Sequence, residues 1–158
     1  MLPERKIKSI LTMKNHFHTG KVVTLSFAHL LHDTYTAFLA PMLPLLITKL
    51  GMSLSLAGML DVIRKIPSLF NPFIGLLADR ICVKYFVIFT PGLSATVMSI
   101  LGLSPTYTVL FILLLVTGIS STLFHVPAPV LIKHFSGKRS GTGMSCFLFA
   151  PAVNVFVL

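Results

Sequence analysis

Charged residues are scarce in this sequence of 158 residues. They make up 11% of the chain, while 54% of the residues are hydrophobic and the mean hydropathy is +0.90. Soluble domains carry roughly 25% charged residues, and a small soluble domain leaves much of its surface in water. This composition therefore excludes an ordinary soluble domain and favours a protein that resides in the lipid bilayer.

Acidic residues are the scarcest charged type, with four Asp and Glu against 13 Lys and Arg. A strong excess of positive charge is one sign of nucleic-acid binding. Here the basic residues stand between long apolar runs rather than along one stripe, so nucleic acid is not an expected partner.

Signatures of metal sites, disulfide frameworks and enzymes are also missing. Cys82 and Cys146 lie far apart, with no Cys/His cluster that would indicate a zinc site. We find no phosphate-binding loop, dinucleotide fingerprint, zinc-protease motif or serine elbow, so no enzyme and no cofactor are expected. Asp33 and Asp61 are a poor match to an intramembrane protease, and no selectivity-filter sequence indicates a channel.

The apolar runs predict an all-α membrane protein, an antiparallel transmembrane helix bundle with four complete spans and a partial fifth. About 20 apolar residues are needed to cross the hydrocarbon core, and the connections between the runs are short. The basic arm at 1–21 precedes an apolar run too long for a cleavable signal peptide. In the bundle at 22–158, the spans are predicted at 22–48, 54–78, 85–103, 107–132 and 141–158.

Basic residues also predict the orientation, because cytoplasmic loops carry an excess of Lys and Arg. With the N-terminus inside, Lys49 is the one basic residue in the predicted external connections. The predicted internal segments hold ten: Arg5, Lys6, Lys8, Lys14, Lys21, Arg80, Lys84, Lys133, Lys138 and Arg139. We therefore expect a multi-pass protein of the plasma membrane with a cytoplasmic N-terminus.

Prolines interrupt several predicted spans, notably Pro41, Pro44, Pro67 and Pro127. Neighbouring helices can satisfy the backbone groups that a proline leaves free in a membrane bundle. These prolines indicate either packing and curvature alone or bent helices that let a bundle open alternately to either side.

Ionisable side chains within the predicted spans are the candidate functional residues, because such groups are costly in lipid. His29, His32 and Asp33 share one helix face in the first span. Asp61, Arg64 and Lys65 have the same spacing in the second, where they form either a self-neutralised structural cluster or a site with spare donors for a polar or anionic substrate. Weaker candidates are Asn71 and His125, because a lone histidine in a span is more often an interhelical hydrogen-bonding residue. His29 and His32 could bind a metal, but no Cys, Glu or third close His supports this, and no metal is expected.

The end of the second span reads Gly75-Leu-Leu-Ala-Asp79-Arg80-Ile-Cys82-Val83-Lys84. This resembles the major facilitator signature between helices two and three, with Cys82 in place of a glycine and Val83 in place of a basic residue. The resemblance implies a conformational gate formed by Gly75, Asp79, Arg80 and Lys84.

Two further segments resemble the fosmidomycin-resistance branch of that superfamily, a group of proton-driven drug exporters. They are the first-span segment from His29 to Pro44 and the fourth-span segment from Leu123 to Pro127 with its continuation to Ser145. The resemblance implies a secondary active transporter, an antiporter for drug resistance, with a small-molecule substrate and protons as partners besides the bilayer. It implies proton coupling at Asp33, with His29 and His32 able to share its proton.

The C-terminal residues do not resemble the fifth helix of this family, whose members have two related halves. We therefore expect an N-terminal fragment, inactive alone, with a C-terminal half encoded separately. The alternative is a non-transporting small membrane protein or the vestigial product of a truncated transporter gene.

Overall fold

The computed structural model describes residues 16–78 and 84–152, and this part of the chain is helical with no strand. The all-α prediction is therefore confirmed. The α-helices of the described residues are α1 Thr19–Ala37, α2 Leu39–Leu50, α3 Leu54–Lys65, α4 Asn71–Ala78, α5 Lys84–Ile100, α6 Tyr107–His125, α7 Pro127–Ser136 and α8 Ser140–Ala152. Short 3-10 segments cover Ile66–Phe70, Leu101–Leu103 and Gly137–Arg139.

Prolines account for the places where the long helices are interrupted. Helix α1 ends at Ala37, and Pro41, four residues later, has no N–H to donate to the Ala37 carbonyl. Helix α6 ends at His125, and Pro129 has the same relation to the His125 carbonyl. Both interruptions therefore follow directly from the backbone chemistry of proline.

The described residues divide into two compact units: a central unit, 31–78 with 84–127, and a terminal unit, 16–30 with 128–152. The core of the central unit is apolar and comes from α2, α3, α5 and α6 with their connections. It comprises Leu39, Leu46, Met52, Leu60, Met98, Leu101, Leu110 and Leu114.

Helices α2, α3, α5 and α6 alternate in direction within the central unit. Lys49, at the end of α2, donates to the Gly102 carbonyl just after α5, at 2.7 Å. The Tyr107 hydroxyl, at the start of α6, lies 3.5 Å from the Leu56 carbonyl oxygen near the start of α3. The ends of α2 and α5 thus lie together, as do the starts of α3 and α6, as short connections between antiparallel helices require.

Helix α6 packs closely on both α3 and α5. A Cβ at Gly118 would overlap the Arg64 carbonyl oxygen of α3 and lie 3.0 Å from Pro67 Cγ, so this contact requires glycine. On the α5 side, Ser94 Oγ donates to Ser120 Oγ at 2.9 Å, and Ser120 Oγ donates to the Thr90 carbonyl at 3.0 Å. Small and hydroxyl-bearing residues at such contacts are typical of helix packing in membranes.

The chain reverses direction at Gly137 in the terminal unit. Gly137 has φ +52°, in the left-handed region that favours glycine. In one continuous helix, residues 132 and 143 would stand about 16 Å apart along the axis. Instead, a Cβ at Gly143 would lie 3.6 Å from Ile132 Cγ2 and would overlap the Ser136 side chain, so the first turn of α8 lies against the last turn of α7.

Three helical runs of the described residues are long and apolar enough to cross a membrane: Thr19–Leu50, Lys84–Leu103 and Tyr107–Ala150. The predicted span at 54–78 is not among them, and it carries Asp61, Arg64 and Lys65. The predicted fourth span and most of the fifth fall within the run Tyr107–Ala150, which contains the reversal at Gly137. The count of four spans and a partial fifth stays a prediction.

Candidate functional site

Asp33 and His125 form a carboxylate–imidazole pair between two helices of the central unit. His125 Nε2 lies 3.3 Å from Asp33 Oδ1, and the two side chains are 39% and 26% exposed. Asp33 stands on α1 and His125 is the last residue of α6. The pair joins residues that are distant in sequence, so it depends on helix packing and not on local spacing.

His32 lies beside this pair and is fully buried. Its ring stacks on Phe124, with centroids 4.9 Å apart and planes at 20°. Its ring also meets the His125 ring edge-on, with centroids 5.2 Å apart. Asp33, His32 and His125 therefore form one polar cluster of the central unit, closed on one side by an aromatic ring.

His29 has its described contacts in the terminal unit. Its Nδ1 lies 2.9 Å from the Phe147 carbonyl oxygen, and because a carbonyl can only accept, Nδ1 is the donor. The imidazole also stacks on the Phe147 ring, with centroids 4.0 Å apart and planes at 13°. Through these contacts the His29 ring packs against α8.

Asp61 is held by two cations of its own helix. Arg64 Nη2 lies 2.8 Å from Asp61 Oδ1, and Lys65 Nζ lies 2.6 Å from Asp61 Oδ2. Each carboxylate oxygen thus takes one cation, so the two cations together exceed the single negative charge of Asp61. Arg64 Nε is buried and has no hydrogen-bond partner among the residues that the structure describes.

Asn71 and Lys84, two other candidates, lie at helix starts and outside the polar cluster. Asn71 is the exposed first residue of α4. Lys84 is the exposed first residue of α5, with its Nζ 5.0 Å from the centroid of the Tyr85 ring.

The gate segment is described only at its ends. A Cβ at Gly75 would lie 4.0 Å from Val126 Cγ1, an ordinary contact, so this neighbour does not require glycine. Asp79 and Arg80 lie outside the described residues. The role of Gly75, Asp79, Arg80 and Lys84 as a gate stays a prediction.

Three residues that contact the candidate residues were not singled out from the sequence for that role. Phe124 stacks on His32, and Phe147 stacks on His29. Gly118 lies against the Arg64 backbone, where a side chain would not fit. A small residue inside a predicted span is a sequence signal for close helix approach, and Gly118 carries that signal. No sequence pattern indicates which histidine a given phenylalanine covers.

The polar cluster combines one carboxylate with two imidazoles. Ionisable groups inside membrane bundles mark proton relays and substrate paths. The Asp61 cluster differs from the polar cluster in its partners, because Arg64 and Lys65 each contact one oxygen of the Asp61 carboxylate.

Comparison with known protein families matches residues 25–153 to the Major Facilitator Superfamily. Searches of curated proteins and of solved structures give no significant match. The family match covers most of the chain and agrees with its long apolar helices. The chain therefore belongs to the Major Facilitator Superfamily, whose members are membrane transporters and not enzymes.

Proposed function

We propose that this chain is the proton-coupling part of a secondary active transporter of the plasma membrane that exports a small molecule in exchange for protons. The observation that carries the proposal is the contact of 3.3 Å between Asp33 and His125 across two helices. The family match supports transport, and the resemblance of two segments to the fosmidomycin-resistance branch supports drug export.

The position of this pair suggests how a proton would act on the helices. Asp33 lies one turn before α1 ends at Ala37, and His125 ends α6. Both residues thus adjoin helix interruptions that prolines cause. Protonation of Asp33 would remove the carboxylate charge that faces His125 Nε2 and weaken the contact that holds the two helix ends together. Discontinuous helices at a central site are a recurring feature of transporters that alternate access.

The substrate would be a small polar or anionic molecule if it binds near α3. Arg64 and Lys65 carry two positive charges against the single charge of Asp61, and Arg64 Nε is buried without a described partner. A buried donor of this kind favours a ligand with an acceptor oxygen. Asp79, Arg80 and Lys84, with Gly75, would form the gate, and a C-terminal half supplied by a second polypeptide would complete the pathway.

The test is transport in proteoliposomes that contain this chain together with a C-terminal half of a family member. Flux of labelled fosmidomycin would be driven by a pH gradient, with Asp33→Asn compared with wild type and with Asp33→Glu. We expect Asp33→Asn to lower pH-driven flux at least about tenfold, a factor that corresponds to ~1.4 kcal/mol. Asp33→Glu should retain coupling because it keeps a carboxyl group.

A second measurement distinguishes a loss of proton coupling from a loss of substrate binding. Exchange of substrate across the membrane without a pH gradient should persist in Asp33→Asn, because no net proton movement is needed. Unchanged pH-driven flux in Asp33→Asn would contradict the proton-coupling role. Absence of any flux with wild type, despite correct membrane insertion of both parts, would favour the non-transporting membrane protein.

A further inference from the structure

A cavity of about 300 Å³ lies at the reversal between α7 and α8 in the terminal unit. Its lining comprises Val130, Lys133, His134, Gly137 and Ser140. Lys133 and His134 are exposed, so their polar ends are available to a ligand. The cavity owes its existence to the left-handed Gly137, which turns the chain and places the start of α8 beside the end of α7.

The electrostatic character of this part of the chain is uniformly positive. Lys21, Lys133, Lys138 and Arg139 belong to the terminal unit, and its described residues include no Asp or Glu. Lys21 Nζ lies 5.1 Å from the centroid of the Phe135 ring, next in sequence to His134. No carboxylate among the described residues of this unit therefore neutralises the cavity, and an anion is the ligand that it fits.

The cavity also has an apolar wall, and this feature distinguishes a lipid from a soluble anion. Val130 lines it and is 65% exposed, one turn from Lys133 on α7. A free phosphate gains nothing from an exposed valine, whereas a lipid can place its headgroup on Lys133 and its acyl chain along Val130. The amino-terminal end of α8 also carries partial positive charge that adds to that of the side chains.

We infer that this cavity binds the phosphate headgroup of an anionic membrane lipid. Lys133 and His134 contact the headgroup, Ser140 donates a hydrogen bond to it, and Val130 contacts the acyl chain. Anionic lipids attract basic segments next to membrane-spanning helices, and basic pockets between such helices bind lipid headgroups. The inference needs membrane residence alone and does not depend on transport.

Native mass spectrometry of the full chain in a neutral detergent tests the inference directly. Binding of phosphatidylglycerol would be titrated in parallel with phosphatidylcholine, and soluble glycerol phosphate would be added as competitor. We expect phosphatidylglycerol to bind more tightly than phosphatidylcholine, and Lys133→Gln to weaken it about fivefold, as loss of one basic residue near a membrane surface would. Glycerol phosphate should not compete.

Matched variants distinguish lipid binding in the cavity from non-specific attraction to the basic surface of the chain. Lys84→Gln removes an exposed lysine outside the cavity and should leave the affinity within about twofold, since only cavity charges contribute. Lys133→Arg should retain binding, whereas Ser140→Asp should weaken it by repulsion while keeping a residue that starts helices well. Ser140→Asp therefore tests the site even if Lys133→Gln unfolds the chain.

Three results would overturn the inference. Equal affinity for phosphatidylglycerol and phosphatidylcholine would exclude headgroup recognition. Equal weakening by Lys84→Gln and Lys133→Gln would show non-specific attraction to the whole basic surface. Competition by glycerol phosphate at the same concentration as the lipid would show a soluble-phosphate site instead.

Discussion

Asp33 and Asp61, the two carboxylates within the predicted spans, differ in whether their partners lie on the same helix or on another one. Asp61 contacts Arg64 and Lys65 within about one turn of its own helix, whereas Asp33 contacts His125 on another helix. The first arrangement forms wherever α3 forms, so it carries no information on how helices are packed. The second exists only when α1 and α6 are correctly placed, so it depends on how these two helices pack.

The two carboxylates also differ in the exposure of their side chains, because Asp61 is more exposed than Asp33. The side chains of Asp61 and Lys65 are 45% and 66% exposed in the described chain. Because this segment is predicted to cross the membrane, the exposed side chains would face lipid or the surface of another polypeptide. The Asp61 carboxylate offsets the charge of one of the two cations beside it, while the Asp33 pair lies beside the buried His32.

The largest expected effect on stability comes from Asp61→Asn. This change leaves two cations without their carboxylate and should cost about 2 kcal/mol, less than the roughly 2.5–3.5 kcal/mol for one cation at a bilayer centre because both side chains can reach the interface. Thermal unfolding of the purified chain in detergent would measure the loss.

A triple variant provides the control for Asp61→Asn. Asp61→Asn combined with Arg64→Gln and Lys65→Gln removes the unbalanced charge and should recover most of the stability. A triple variant as unstable as Asp61→Asn would show that the cluster stabilises by its specific geometry and not by charge balance.

A smaller effect is expected for the Asp33–His125 contact. A double-mutant cycle with Asp33→Asn and His125→Gln should give a coupling free energy of about 0.6–1.7 kcal/mol, between the average and the largest value measured for hydrogen bonds between membrane helices. Thermal unfolding of the four proteins gives this value. A coupling near zero would mean that the two side chains do not interact in the folded chain.

The smallest expected effect is that of Ser94→Ala, which removes a neutral hydrogen bond between α5 and α6. We expect a loss of about 0.6 kcal/mol, the average for such bonds in a membrane protein. Thermal unfolding would measure this loss, and pH-driven flux should not change. A loss larger than that of Asp61→Asn would invert the ranking that the charge argument predicts.

Much of the fold follows from local chemistry in the sequence. The apolar runs predict helices, and Pro41 and Pro129 lie four residues after Ala37 and His125, where helices end. The spacing of Asp61, Arg64 and Lys65 predicts their ion pairs, because residues three and four apart meet on any helix. The basic connection that contains Gly137 predicts a turn between two helices, and the structure has a left-handed Gly137 there, with Gly143 against Ser136.

The partners of the histidines could not be predicted in the same way. His29, His32 and Asp33 share a helix face by spacing, yet His29 contacts Phe147 while Asp33 contacts His125. These pairings depend on how distant helices pack, which helix periodicity does not specify. His125 was predicted only as an isolated residue for that reason, and the close approach at Gly118 is likewise a product of packing.

Infrared difference spectroscopy of the chain in liposomes tests most directly whether Asp33 exchanges a proton. A carboxyl stretching band that appears on acidification would be compared among wild type, Asp33→Asn and Asp61→Asn. The proposed role predicts that Asp33→Asn removes a band that Asp61→Asn retains, and that His125→Gln shifts the pH at which it appears. A spectrum unchanged by Asp33→Asn would contradict the assignment of Asp33 as the proton-coupling residue.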